Sequence, residues 1–124
     1  MLNELNIEAS EDTPQVVFEK QSGNLKISGR SLPEDAFSYY VPIIDWLVEY
    51  AKAPCELTTI TFNLEYFNTA SAKQIFKIAN LIADIGKSNK VLVKWHFDEG
   101  DKDMCASGER FSKLSGIPFE LIKN

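Results

Sequence analysis

Apolar and polar residues alternate singly along Ile60, Phe62, Leu64 and Tyr66, with Thr61, Asn63 and Glu65 between them. A period of two marks a strand that buries one face. Further on, Ala72, Ile75, Phe76, Ala79, Ile82 and Ala83 recur at helical spacing, so the period changes within Glu65–Lys73. Asn68 or Thr69 is placed there to cap the helix through a side-chain oxygen. A strand tip thus meets a helix N-terminus, where unpaired backbone N–H groups and the positive end of the helix dipole suit an anion or a phosphorylated hydroxyl.

The same reading divides the rest of the chain. Val16 and Phe18 alternate with Val17 and Glu19, Ser22-Gly23-Asn24 interrupts, and Leu25 and Ile27 alternate with Lys26 and Ser28, which predicts a hairpin. Ser31 or Leu32 before Pro33, with Glu34 and Asp35 in a first turn, predicts a helix start. That helix carries Phe37, Tyr40, Ile44, Leu47 and Ala51 on one face, widened by Ile43 and Val48, and Pro42 is expected to kink or divide it. Ala53-Pro54 ends it, and a strand from Leu57 to Tyr66 leads into the second helix, which runs to about Gly86. Val91, Val93, Trp95 and Phe97 then face one way and Leu92, Lys94, His96 and Asp98 the other. A third helix with Met104, Gly108, Phe111 and Leu114 precedes a short strand from Phe119 to Ile122. Residues 1–12 are polar and acidic, with Glu4, Glu8, Glu11 and Asp12, and are expected to be a flexible tail or an edge segment ahead of a single domain at 13–124. The order ββαβαβαβ predicts an α/β fold: a mixed sheet with an N-terminal antiparallel hairpin, parallel βαβ units and helices packed on the sheet.

Composition narrows the function more than the fold. A chain of 124 residues, 44% hydrophobic and 25% charged, is one ordinary domain, and without a leader or membrane-length apolar run a cytoplasmic protein is expected. The net charge of −5 argues against a nucleic-acid surface and favours a protein partner. Cys55 and Cys105 have no pairing pattern and are expected as reduced packing thiols. The acidic run Asp98, Glu99, Asp101, Asp103 lacks the glycine and closing glutamate of a calcium loop. His96 is the one histidine, which rules out a cluster of histidines around a metal, and its strand position next to Trp95 gives no sign of a Ser-His-Asp triad. No phosphate-binding or nucleophile-elbow glycine motif is present. No metal, cofactor or enzymatic activity is expected.

Two roles compete for Asn68, Thr69 and Ser71. Capping would satisfy helix N–H groups and contribute ~1 kcal/mol. Phosphorylation would add roughly −1.5 to −2 charges where the dipole favours them. Lys73, four residues after Thr69, is unfavourable against the dipole yet could reach a phosphate on Thr69. Arg30 could bind an anion or pair with Glu34, and pairing is the default. Tyr39, Tyr40, Trp46 and Phe67 are core candidates. Arg30, Tyr39 and Phe67 are also partner-contact candidates should they cluster near Thr69.

Specific runs go further. Thr13-Pro14, Ile27-Ser28-Gly29-Arg30-Ser31-Leu32-Pro33-Glu34, Tyr40-Val41-Pro42-Ile43 with Trp46-Leu47 and Tyr50, Tyr66-Phe67-Asn68-Thr69-Ala70-Ser71-Ala72-Lys73, and Val93-Lys94-Trp95 with Gly108-Glu109-Arg110-Phe111 resemble the SiaC family of bacterial regulatory phosphoproteins. The resemblance implies a fold similar to anti-sigma-factor antagonist (STAS-like) domains, with a phosphosite at a strand-to-helix turn. It also implies phosphorylation by a dedicated serine/threonine kinase and removal by a PP2C-like phosphatase. The unphosphorylated form would bind and activate a diguanylate cyclase, in cyclic-di-GMP and biofilm signalling. The family's phosphothreonine falls on Thr69. Ala70 stands where the family motif has serine, which leaves Ser71 as second choice, with Asn68, Ala70, Ser71 and Lys73 as surroundings. The resemblance thus implies a phospho-switch; the alternative is a constitutive interaction module in which Thr69 only caps the helix.

Overall fold

Each strand of this protein pairs with the strand next to it in sequence, and that simple order decides where the helices go. The computed structural model describes residues 2–124. In these, β1 (Leu5–Ile7), β2 (Gln15–Phe18), β3 (Asn24–Ser31), β4 (Leu57–Phe67), β5 (Lys90–Phe97) and β6 (Phe119–Lys123) form one six-stranded sheet in the order β1-β2-β3-β4-β5-β6. The β1–β2 and β2–β3 pairs are antiparallel; β3–β4, β4–β5 and β5–β6 are parallel. The helices α1 (Ala36–Tyr50), α2 (Thr69–Ile85) and α3 (Lys102–Ser115) make the three parallel crossovers. Right-handed crossovers that all step the same way lay their helices on one face of a sheet. Accordingly α1 packs on α2 and α2 on α3.

Val16, Phe18, Leu25, Ile27, Ile60, Phe62, Val93 and Trp95 form the buried strand face under these helices. Thr59, Thr61, Asn63, Lys94 and His96 occupy the other face, which no helix covers and which remains half-exposed. Polar residues at alternate positions keep that face stable in water although its strands are parallel. No helix among the described residues is long and apolar enough to cross a membrane.

Residues 1–12, of which Met1 lies outside the described residues, contribute the edge strand β1, paired Leu5 to Phe18 and Ile7 to Val16. Trp46 Nε1 donates to the Asn3 carbonyl at 2.7 Å, tying this segment to α1. The expected helix start at Ser31 or Leu32 is displaced: Ser31 ends β3, and Asp35 is the cap, its Oδ1 accepting from Ser38 N. Starting there, α1 buries Ala36, Tyr40, Ile43, Trp46, Leu47 and Tyr50. Phe37, read from the sequence as a core position, falls outside this stripe and is 60% exposed. Pro42 lies inside a continuous α1 and does not divide it. On α3, Leu114 is exposed, whereas Gly108 lies against the Trp95 indole, where an added Cβ would come within 2.5 Å of Cδ1.

Candidate functional site around the start of α2

The geometry of the site begins with one extra residue in β4. Gly29 of β3 pairs with Leu64, but the next residue, Arg30, pairs with Tyr66, so Glu65 is an insertion in the ladder. Gly29 sits beside this bulge at φ +108°, a conformation that other residues rarely adopt. The bulge breaks the alternation that Ile60, Phe62 and Leu64 establish. Tyr66, expected inward, is 48% exposed, and Phe67 turns in to pack on Trp95 and Phe111 with ring centroids 6.2 and 6.0 Å away. The strand therefore delivers Asn68 to the surface with an aromatic anchor directly behind it.

Asn68 is the cap of α2: its extended backbone (φ −86°, ψ 173°) lets Oδ1 accept from Ser71 N at 2.8 Å. Such a cap contributes ~1 kcal/mol. Capping does not engage the Thr69 hydroxyl, because Thr69 is already the first helical residue, and it is exposed. The hydroxyl two positions on is placed very differently. Ser71 is fully buried; its Oγ donates to the Ser31 carbonyl at 3.0 Å and accepts from Ser31 Oγ at 2.9 Å. Asn68 N donates to the same Ser31 carbonyl at 3.0 Å. Ser31 Oγ spends its proton on Ser71, so at the 2.7 Å contact between Ser31 Oγ and the Tyr40 hydroxyl, Tyr40 donates. One directed chain of hydrogen bonds, Tyr40 to Ser31 to Ser71 and back to the β3 backbone, fixes the first turn of α2 against β3 and α1.

Burial pushes the Tyr40 phenol up to about 12 from its ordinary 10. The unfolded chain then gives up this proton before the folded one does, so the stabilisation is complete below pH 10 and is lost as the pH rises toward 12. Two units at 1.36 kcal/mol each make this roughly 2–3 kcal/mol. Urea titrations from pH 9 to pH 12 are expected to show a steeper loss of stability in the parent than in Tyr40→Phe. Parallel pH profiles for the two proteins would contradict this assignment.

Thr69, Ala70, Lys73 and Gln74 form one wall of a shallow groove whose other wall is Glu34, Asp35 and Phe37 at the start of α1. Lys73 is exposed and shares this groove with Thr69. The structure does not bring the remaining candidates into it. Arg30 is exposed at the end of β3, and the pairing expected with Glu34 is not among the ion pairs of the described residues. Tyr39 is half-buried, its hydroxyl donating to the Pro14 carbonyl at 2.9 Å. Phe67 faces the core. Glu34, Asp35, Ala36, Phe37 and Gln74 are the groove residues that the sequence did not mark as belonging to the site. For Gln74 a signal existed, since it sits among the inward positions Ser71, Ile75, Ile78, Ile82 and Ile85 as the one long polar side chain.

A sequence model of the SiaC family regulatory phosphoproteins matches residues 7–124, nearly the whole chain. The chain belongs to the SiaC family. A relative in Pseudomonas aeruginosa strain UCBPP-PA14, itself called uncharacterized, is 25% identical over 121 residues, spanning 97% of this chain and 96% of that protein. The crystal structure of apo-SiaC from Pseudomonas aeruginosa superposes with a TM-score of 0.87 at 25% identity, covering 97% of this chain and 98% of that one. SiaC in the crystal structure of diguanylate cyclase SiaD with its activator SiaC, from the same organism, gives a TM-score of 0.88 at 25% identity, covering 97% of this chain and 99% of that one. The six-stranded mixed sheet with its helices is thus the SiaC fold, and the α2 turn lies within the matched region.

Proposed function

We propose that this SiaC-family chain is a non-enzymatic phospho-switch of the cytoplasm, with Thr69 as acceptor and a diguanylate cyclase as the regulated partner. A serine/threonine kinase loads the phosphate and a PP2C-like phosphatase removes it. The dephosphorylated surface docks the cyclase, and the phosphate blocks docking by charge and desolvation. One contrast carries this reading: the Thr69 hydroxyl is exposed at the first turn of α2, while Ser71 is fully buried and hydrogen-bonded to Ser31. A kinase can reach the first without disturbing the core; the second would have to leave it. The helix N-terminus and Lys73 then favour the charge that arrives. The cyclase enters by analogy with SiaC, which is the activator of SiaD in the solved complex.

Peptide mass spectrometry of the protein isolated from its own cells is expected to find a single phosphate, on Thr69, with none on Ser71. Phosphate mapped to Ser71, or none in any growth condition and none after incubation with the cell's serine/threonine kinases, would overturn the assignment.

A further inference from the structure

We propose that the helix-free face of the sheet binds the phosphate group of a small organic molecule, held between Lys26 and Lys94 over the Thr61 hydroxyl. The site lies on the side of the sheet away from the helices, and it stands or falls separately from the Thr69 reading.

Strand register supplies the first observation. Lys26 of β3 pairs with Thr61 of β4, and Thr61 pairs with Lys94 of β5, so the three residues form one rung and share one face of the sheet. Neighbouring strands lie about 4.8 Å apart, which sets the two lysine Cα atoms about 10 Å from each other with a hydroxyl midway. Two ammonium groups on flexible stems can close on a single group from its opposite sides. Cross-strand neighbours of opposite charge stabilise a sheet, and a carboxylate at position 61 would pair with both lysines. Threonine there leaves them without a counter-charge on the strand between them.

A hollow at the same place supplies the second. It measures about 430 Å³ and is lined from four strands, by Val17 on β2, Asn24 and Lys26 on β3, Thr59 and Thr61 on β4, and Lys94 on β5. The threonines of the central strand are shorter than the lysines on either side, so the middle of the face is hollow. Its volume falls within the range of small-molecule sites, roughly 300–1,000 Å³, and exceeds what a bare phosphate fills. The amides of Asn24 and of Gln15, which also lines the hollow, are left to bond the organic part.

Charge decides the chemistry of the group. Lys94 is half-buried and Lys26 exposed, and neither belongs to an ion pair of the described residues. The one carboxylate in the lining, Glu19, accepts through Oε1 from Ser22 Oγ at 2.8 Å. Glu120 is the register neighbour of Lys94 on β6, but it is exposed and lies outside the lining. The hollow therefore holds an excess of positive charge in a chain whose net charge is −5. A phosphate monoester brings roughly −1.5 to −2 charges to two ammonium groups. Its tetrahedral oxygens can accept from both sides and from a hydroxyl beneath at once, which the two coplanar oxygens of a carboxylate cannot.

The test is a titration of isotope-labelled protein followed by amide NMR, with adenosine monophosphate, glucose 6-phosphate and inorganic phosphate as probes. It compares the parent chain, Lys26→Gln, Lys94→Gln and, as a control for charge alone, Lys113→Gln on α3. Saturable shifts are expected at Lys26, Thr61 and Lys94 with at least one organic phosphate, at an affinity about 10-fold or more above that for inorganic phosphate. Lys26→Gln and Lys94→Gln are each expected to weaken that binding by about 10-fold, and Lys113→Gln by less than about twofold. Thermal melts of both lysine variants are expected to match the parent's, which separates lost binding from a damaged fold. Shifts that fail to saturate with every probe, or that fall elsewhere on the molecule, would overturn the site. Equal weakening by Lys113→Gln would reduce the binding to general charge attraction and overturn it too. Inorganic phosphate bound as tightly as either organic probe would assign the hollow to the free ion and overturn the organic ligand.

Discussion

Trp95→Ala is expected to cost about 3–5 kcal/mol of stability, the range for removing a fully packed aromatic side chain. Trp95 has no exposed surface, and the rings of Phe62, Phe111, Phe119 and Phe67 surround it at centroid distances of 5.2, 5.5, 5.9 and 6.2 Å. Its Nε1 donates to the Met104 carbonyl at 2.9 Å, and the bare Cα of Gly108 leaves room for the indole. These neighbours belong to β4, β6 and α3, so the cavity opens where three elements meet and no single side chain can fall in to fill it. Urea denaturation followed by circular dichroism and by the fluorescence of the remaining Trp46 measures the loss. A cost below about 1 kcal/mol would mean that the surrounding rings close the cavity, against the close packing argued here.

Thr69→Glu is expected to weaken cyclase binding by about 30-fold or more, the equivalent of roughly 2 kcal/mol at 1.4 kcal/mol per factor of ten. Thr69→Ala is expected to bind within about twofold of the parent. Neither change touches the core, because the side chain is exposed and Asn68 is the cap. The carboxylate should even add about 0.3–1 kcal/mol at the helix N-terminus. Titration calorimetry paired with thermal melts separates the two effects. Equal affinities for Thr69→Glu, Thr69→Ala and the parent would move the switch elsewhere on the molecule.

The elements were legible in the sequence wherever the pattern is local. Single alternation at Ile60, Phe62 and Leu64, and the wider spacing of Ile75, Ala79 and Ile82, each repeat often enough to fix a period. What could not be read depends on partners far along the chain. Tyr66 and Phe67 exchange faces because of a bulge whose glycine, Gly29, stands on the neighbouring strand. Ser71 looks like any hydroxyl near a helix start, and only Ser31, 40 residues away, makes it a buried structural group. The face of α1 was misjudged at Phe37 because the helix begins at the Asp35 cap, later than Pro33 suggests. Residues 5–7 are too few to display a period, and β1 exists through its pairing with β2. At the site itself, the resemblance brought Thr69 forward, whereas the opposing wall of the groove required the fold.

Because every strand lies beside its predecessor, the sheet can grow in the order in which a ribosome releases it. Strands β3 and β4, with helices α1 and α2, are complete at Ile85 and include Ser31, Tyr40, Thr69 and Ser71. The parts of the proposed switch can therefore meet before β5, α3 and β6 join the sheet. Trp95 comes afterwards, and with it the aromatic cluster that clamps Phe67 behind Thr69. A nascent chain would thus carry the proposed acceptor residue before it has the means to hold that residue firmly, so a kinase acting during synthesis, under the proposed switch, would meet a looser Thr69 than one acting on the finished protein.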